Sequence, residues 1–151
     1  VMGDYRKFSL NKIPDKNKTS NPISLIRVAG PITMIDSIED TIIDIKSKGY
    51  ELSLNLMNYS KITKKQINNI IKIINKWKIK PDFIYVADSF GSILPNQIKN
   101  IFKQLKQIDN VKLGFHAHNN LQMAFSNCLS AIDLNIHKHI FFSIKVLCYC
   151  Y

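Results

Sequence analysis

Glycine is scarce in this sequence, and its scarcity argues against glycine-loop nucleotide sites. The five glycines are dispersed along the chain, so neither a Walker A phosphate loop nor the G-x-G-x-x-G fingerprint of dinucleotide-binding domains occurs. The local patterns that flank serine and cysteine nucleophiles in hydrolases are also absent. ATP-dependent, dinucleotide-dependent and nucleophile-based hydrolytic chemistry is therefore disfavoured.

Cysteine is equally sparse, and long apolar runs are missing. The three cysteines, Cys128, Cys148 and Cys150, are odd in number and provide no disulfide framework, which is typical of a reducing compartment. No run approaches the ~20 apolar residues of a membrane-spanning helix, and no charged-then-apolar leader begins the chain. We therefore expect a cytoplasmic protein of one domain that makes no membrane contact.

Arginine is almost absent, although the formal net charge is +10. Arg6 and Arg27 are the only arginines, and the lysines are spread through segments rich in isoleucine and asparagine. Surfaces that bind nucleic acids usually cluster their charge and use arginine forks or aromatic platforms. We interpret the lysines as a solvated surface, and nucleic-acid binding ranks last among the alternatives.

The sequence does contain a regular succession of strand and helix patterns. Short apolar runs at 24–29, 51–57, 82–88 and 111–115 predict strands, and 1–5 is a candidate for an earlier one. Their starts recur about every 30 residues, which is the length of a βα unit. Such a series favours a doubly wound sheet or a (β/α)8 barrel. The chain is too short for a complete barrel of about 250 residues.

Four amphipathic helices are predicted between and after these strands. Each is expected to turn an apolar stripe toward the sheet. Asp36 is expected to cap the first helix, Pro95 to begin the third, and Asn119 or Asn120 to cap the fourth. The predicted inward residues are Ile38, Ile42, Ile43 and Ile45; Ile67, Ile70, Ile71, Ile74 and Trp77; Ile98, Ile101, Phe102 and Leu105; and Leu121, Ala124, Cys128, Leu129 and Ile132.

Two histidines at the end of the strand 111–115 form the centre of the predicted site. Alternation along an extended chain points His116 and His118 to the same side, so they can share one ligand. Two imidazoles, completed by a carboxylate and water, make an open site for a divalent cation acting as a Lewis acid. The alternative is that the pair only decorates a loop.

Other polar residues are expected at the same carboxyl edge of the sheet, where both architectures place active groups. Arg27 could neutralise a substrate carboxylate or could be structural. Asn55 is better interpreted as structural, and Asp88 as a cap of the following turn. The hydroxyl of Ser89 could reach a ligand.

Two motifs resemble a known family. The segments 85–92 (YVADSFGS) and 113–127 (LGFHAHNNLQMAFSN) resemble the later strands of the metal-dependent aldolases related to 4-hydroxy-2-oxovalerate aldolase. These belong to the DRE-TIM metallolyase superfamily, with hydroxymethylglutaryl-CoA lyase and isopropylmalate synthase. Residues 25–29 and 52–57 are similar to the family's middle strands, and the resemblance covers residues 1–134.

The resemblance implies an α/β fold that is a partial TIM (β/α)8 barrel, about strands 3–7 with their helices, followed by an unmatched tail at 135–151. It implies a divalent metal, Mn²⁺ first with Mg²⁺, Zn²⁺ or Co²⁺ as alternatives, held by His116, His118 and an aspartate. The substrate would be a small 2-oxo acid that contacts Ser89, and Arg27 is the candidate partner of its carboxylate on the grounds of charge given above. The implied reaction is retro-aldol cleavage of a 4-hydroxy-2-oxo acid to pyruvate and an aldehyde, with the metal stabilising the pyruvate enolate.

This sequence also departs from the family pattern. The family's first strand carries an Arg-Asp pair that supplies the third metal ligand, and a catalytic histidine lies nearby; no such segment occurs here. We assign no catalytic residue, and expect activity to be impaired or absent unless a separately encoded chain completes the barrel. The abrupt change after residue 134 suggests a frameshift, which leaves His137 and His139 with no claim to be a second metal pair. Alternatives are a non-catalytic remnant or binding module, or a Claisen-type acyltransferase of the same superfamily.

Overall fold

The strands form one fully parallel sheet. The computed structural model describes residues 2–4, 12–18, 20, 22–134, 136 and 140–142, with only the backbone described for 2–4 and 140–142. The strands pair side by side in chain order. They are β1 (Met2–Asp4), β2 (Leu25–Pro31), β3 (Glu51–Met57), β4 (Phe83–Ala87), β5 (Lys112–Ala117) and β6 (Ile140–Phe142).

The order of the strands distinguishes the two architectures that the sequence left open. A doubly wound sheet reverses its strand order at a switch point, whereas a barrel adds each strand beside the previous one. Here the order is consecutive, and no pairing joins β6 to β1 among the described residues. The fold is therefore a partial (β/α) barrel, as predicted. Beyond the five predicted strands, β6 lies within the segment 135–151 and pairs with β5.

Four helices connect consecutive strands from β2 onward: α1 (Glu39–Ser47), α2 (Lys64–Lys76), α3 (Pro95–Leu105) and α4 (Ala124–Ile132). A short 3-10 helix, Ile32–Ser37, precedes α1. A capping box begins α2, because Thr63 Oγ1 accepts from the Gln66 N–H and Gln66 Oε1 accepts from the Thr63 N–H. No helix in the described part of the chain is long and apolar enough to cross a membrane.

The two faces of the sheet differ in character. Alternate strand residues on one face share a hydrophobic cluster with the inward residues of the helices. The strand members of this cluster are Ile26, Val28, Leu52, Leu54, Leu56, Ile84, Val86, Phe115 and Ala117. The intervening residues face the barrel interior and include polar groups such as Ser53, Asn55 and His116. The hydrophobic core therefore lies between the sheet and the helices, and the opposite face of the sheet carries the polar side chains.

Most predicted helix stripes are confirmed, and α2 most fully. Its predicted inward residues, Ile67, Ile70, Ile71, Ile74 and Trp77, are all buried. The N-terminal prediction for α1 is wrong: Asp36 lies inside the 3-10 helix, and the N-cap position is Ile38, without a side-chain bond. Ile43 is also on the wrong face, since it is 37% exposed.

The predicted face of α4 is confirmed for Ala124 and Cys128, which are buried, and wrong for the larger residues. Leu121, Leu129 and Ile132 are 52%, 46% and 53% exposed. The predicted N-cap is wrong in position, because Met123 is the N-cap residue and makes no side-chain cap bond, although Asn119 Oδ1 accepts from the Ala124 N–H (3.2 Å). The inward positions of α4 are Ala124, Asn127, Cys128 and Ala131. These side chains are smaller, so the helix packs closely against its neighbours.

One close contact between neighbouring strands shapes the interior face. Gly114 on β5 pairs with Tyr85 on β4, and the Tyr85 ring lies directly over the glycine. A Cβ atom at position 114 would lie 2.7 Å from Tyr85 Cδ1 and nearer still to Cε1. The missing side chain therefore makes room for the buried ring.

We predict that Gly114→Ala lowers the free energy of unfolding by about 1–3 kcal/mol, because the added methyl group must displace the Tyr85 ring. Urea denaturation followed by circular dichroism would measure this loss. In a Tyr85→Ala background the same substitution should cost much less, since the clash is removed. An equal cost in both backgrounds would contradict the proposed contact.

Candidate metal centre

Two loops at the carboxyl edge of the sheet form the base of the candidate site. The loop after β4 is joined to the end of β5 by a hydrogen bond from the Asp88 N–H to the His116 carbonyl oxygen (3.0 Å). It is joined to the loop after β5 by one from the Leu121 N–H to the Gly91 carbonyl oxygen (3.3 Å). Gly91 has a φ of +57°, and a Cβ atom there would lie 2.6 Å from the Asn120 backbone nitrogen. Only glycine allows this approach without strain.

Asp88 fastens the first of these loops, as the sequence predicted. Its side chain is fully buried, and its two oxygens accept from the N–H groups of Ser92 and Ile93, each at 3.0 Å. Burial raises the pKa of Asp88, while these hydrogen bonds and the nearby His118 act to lower it. Asp88 therefore holds the loop in shape.

Asn127 ties α4 to the same loop and was missed by the sequence analysis. Its Nδ2 donates to the Ile93 carbonyl oxygen at 2.7 Å, and the residue is fully buried. Its Oδ1 has no hydrogen-bond partner among the described residues. Its spacing could have indicated this role, because Asn127 lies three positions after Ala124 and therefore on the same buried face of α4.

The two predicted histidines lie together at the end of β5. Their ring centroids are 5.0 Å apart, with the ring planes tilted by 51°. His116 Nε2 and His118 Nδ1 are both buried and find no hydrogen-bond partner in the described part of the chain. Buried polar atoms are normally paired, so two such nitrogens side by side fit the lone-pair donors of a metal site.

The environment of His116 favours its neutral form. Burial lowers the pKa of His116, and the charges of His118 and Arg27 lower it further. A neutral imidazole is the form that binds metal ions. The lowered pKa of His116 and its unpartnered Nε2 therefore both favour metal binding.

Arg27 is not at a strand end as predicted, because β2 continues to Pro31 and places it in the first half of the strand. Its guanidinium lies over the Tyr85 ring, with Cζ 5.4 Å from the ring centroid. Burial raises the pKa of Tyr85, and the charge of Arg27 opposes that rise. The sequence analysis missed this role of Tyr85, although alternation places Tyr85 and Gly114 on the same face as His116.

Ser89 and Asn55 occupy supporting positions. The Ser89 Oγ accepts from the Asn58 N–H at 3.0 Å, which links the loops that follow β3 and β4. Asn55 is 3% exposed, and its Oδ1 accepts from the Ser53 hydroxyl at 3.5 Å. A substrate contact by Ser89 stays a prediction, and the structural interpretation of Asn55 agrees with its burial.

The histidine pair provides only part of a metal-ligand set. Among the described residues, no group of three or more His, Cys, Asp or Glu side chains is placed to hold one ion. The fit of the pair to a metal therefore rests on its two unpartnered nitrogens. His137 and His139 lie outside the described residues.

Comparison with known proteins identifies relatives over most of the chain. The HMGL-like family model matches residues 29–137. A 4-hydroxy-2-oxovalerate aldolase from Geobacillus thermodenitrificans is 32% identical over 112 residues, which cover 74% of this chain and 32% of the relative. The aldolase of the same name from Brevibacillus brevis is 48% identical over 52 residues, 34% of this chain and 15% of the relative. The chain thus spans about a third of the length of the first of these relatives.

Solved structures show the same fold. The N-terminal domain of a protein proposed to be an aldolase from Bacteroides vulgatus has a TM-score of 0.67 and 28% identity, over 87% of this chain and 44% of that chain. The carboxyl transferase domain of Rhizobium etli pyruvate carboxylase has a TM-score of 0.61 and 21% identity, over 74% of this chain and 20% of that chain. Because the family model spans most of these 151 residues, including both histidines, this chain belongs to the HMGL-like family.

Proposed function

We propose that this chain is part of an aldolase-type lyase in which His116 and His118 are two ligands of a divalent cation. The observation that carries the proposal is the pair of buried, unpartnered nitrogens, His116 Nε2 and His118 Nδ1. The names of the relatives, 4-hydroxy-2-oxovalerate aldolases, support the reaction class and a small 2-oxo acid substrate. Mn²⁺ is the proposed ion, with Mg²⁺, Zn²⁺ or Co²⁺ as alternatives.

The bound cation would supply a Lewis acid for the negative charge that develops on the keto oxygen of the substrate. Residues of this chain set the protonation of the proposed ligands and hold the loops around them. Burial lowers the pKa of His116, which favours its neutral form, and Asp88 and Asn127 hold the loops that flank the histidines. The positive charge of Arg27 on the interior face favours the approach of a substrate carboxylate.

The proposed reaction is retro-aldol cleavage of a 4-hydroxy-2-oxo acid. A base takes the proton of the 4-hydroxyl group as the bond between C3 and C4 breaks, the aldehyde leaves, and C3 takes a proton to give pyruvate. Ser89, in the loop that follows β4, is the proposed hydroxyl donor to the substrate. The base and the third metal ligand would come from residues beyond these 151, on the same protein or on a separately encoded chain.

We predict that the purified chain binds Mn²⁺ in calorimetric titration, and that His116→Ala or His118→Ala weakens binding by at least roughly tenfold, because each removes one of two nitrogen ligands. The double variant His137→Ala/His139→Ala is a matched control with the same residue types and spacing. It should bind Mn²⁺ as the unmodified chain does. Equal weakening in the control, or unchanged binding in both single variants, would contradict the assignment.

We predict that the chain alone releases no pyruvate from 4-hydroxy-2-oxovalerate and Mn²⁺, because it lacks the proposed base and third ligand. Activity should appear when a separately produced segment with the first strands of a related aldolase is added. Pyruvate can be followed by its reduction with lactate dehydrogenase and NADH. In the completed sample His116→Ala should abolish the activity, and Ser89→Ala should reduce it by roughly tenfold. Full activity of His116→Ala would exclude the proposed site.

A further inference from the structure

Helix α4 differs from the other three helices in the chemistry of its exposed side. The outer surfaces of α1, α2 and α3 carry charged residues such as Asp40, Lys64 and Lys99, as is usual for amphipathic helices. Residues 113–132, which include α4, contain no Lys, Arg, Asp or Glu. Clustered exposed apolar side chains mark contact surfaces. Such a cluster, which we call the α4 flank, consists of Phe125, Leu129 and Ile132, at 64%, 46% and 53% exposure.

The α4 flank lies on the side of the helix that faces away from α3. At 3.6 residues per turn, its three side chains fall within about 60° of one another around the helix axis. Asn127 lies on the other side of the buried face, where it donates to the carbonyl oxygen of Ile93, two residues before α3 begins. α3 therefore covers one side of α4, and the apolar flank is on the other.

The chain continues on this open side of α4. The helices follow the strand order around the partial barrel, with α2 beside α3 and α3 beside α4. The next position in this order is beside β6, which pairs with β5 in parallel. Because parallel strands end at the same edge of a sheet, residues 143–151 leave β6 at the edge where α4 begins.

Residues 143–151 (SIKVLCYCY) are almost as free of charge as α4, although they lie outside the described residues. Lys145 is the only charged residue in this segment. Nine residues span about 13 Å as a helix and up to about 30 Å when extended. α4 also has nine residues and is therefore about 13 Å long. The segment is thus long enough to reach along the whole flank in either conformation.

We propose that residues 143–151 pack against the α4 flank and occupy the position of the next helix in the barrel order. Both partners are apolar, so their contact removes hydrophobic surface from water on both sides. A second copy of the chain is a less favourable occupant, because two chains of net charge +10 repel each other. This contact does not depend on the proposed metal site.

Disulfide cross-linking of the full chain tests the contact, because Cys148 and Cys150 lie within the segment. In Leu129→Cys, oxidised glutathione should produce an intramolecular disulfide to one of these cysteines, since the bond requires Cβ atoms about 4 Å apart. Ser130→Cys, the next position, is turned about 100° around the helix and is the matched control. Its cross-link should form roughly tenfold more slowly. Cys128 is buried and does not compete.

A second pair of variants tests whether apolar contact holds the segment in place. In the Leu129→Cys chain, Val146→Asp/Leu147→Asp should slow the cross-link roughly fivefold, because it places charges against the flank. Ser143→Asp/Lys145→Asp adds the same side chains at polar positions and should leave the rate unchanged. Circular dichroism would verify that each variant is folded, and mass spectrometry of the linked peptides would distinguish monomers from dimers.

Four outcomes would overturn the proposal. They are disulfides that join two chains, equal rates in the two single variants, no cross-link in either, and a rate that the paired aspartates at 146 and 147 do not change.

Discussion

The parallel pairing of β4 with β5 is the constraint on which the rest of this structure depends. It sets Ala87 beside His116 and Tyr85 beside Gly114, so small residues alternate with large ones across the two strands. The Tyr85 ring needs the space over Gly114, and the ring in turn lies beneath the Arg27 guanidinium. Gly114 thus makes room for the Tyr85 ring, and Arg27, which lies over that ring, carries the charge that lowers the pKa of His116.

The histidines are held in place by contacts among neighbouring buried groups. Asp88 binds two backbone N–H groups, Gly91 allows the close approach of the Asn120 backbone, and Asn127 joins α4 to the same loop. Each of these groups is buried, where a hydrogen bond is difficult to replace with water. The loop that carries His118 is thereby fixed to the end of β4.

Two regions of the molecule differ in their electrostatic environment. At the sheet edge, burial and neighbouring charges lower the pKa of His116, which favours the neutral form that binds cations. Between α2 and α3, lysines face a shared cavity without acidic partners among the described residues. The net charge of +10 thus includes at least one local concentration of positive charge, although the lysines look evenly dispersed along the sequence.

The sequence by itself determined the features that depend on local spacing. The two-residue period of the strands, the stripe of α2 and the placement of His116 and His118 on one side follow from backbone geometry between near neighbours. The sequential βα order limited the fold to two architectures.

The tertiary structure decided what depends on contacts between distant residues. The strand order selected a barrel over a doubly wound sheet, and the continuation of β2 to Pro31 moved Arg27 away from the strand end. Close packing placed the small side chains of α4 inward and left Leu129 and Ile132 exposed. The contact of Tyr85 with Gly114 joins residues about 30 positions apart. Such contacts arise when separate units pack together, and no local period encodes them.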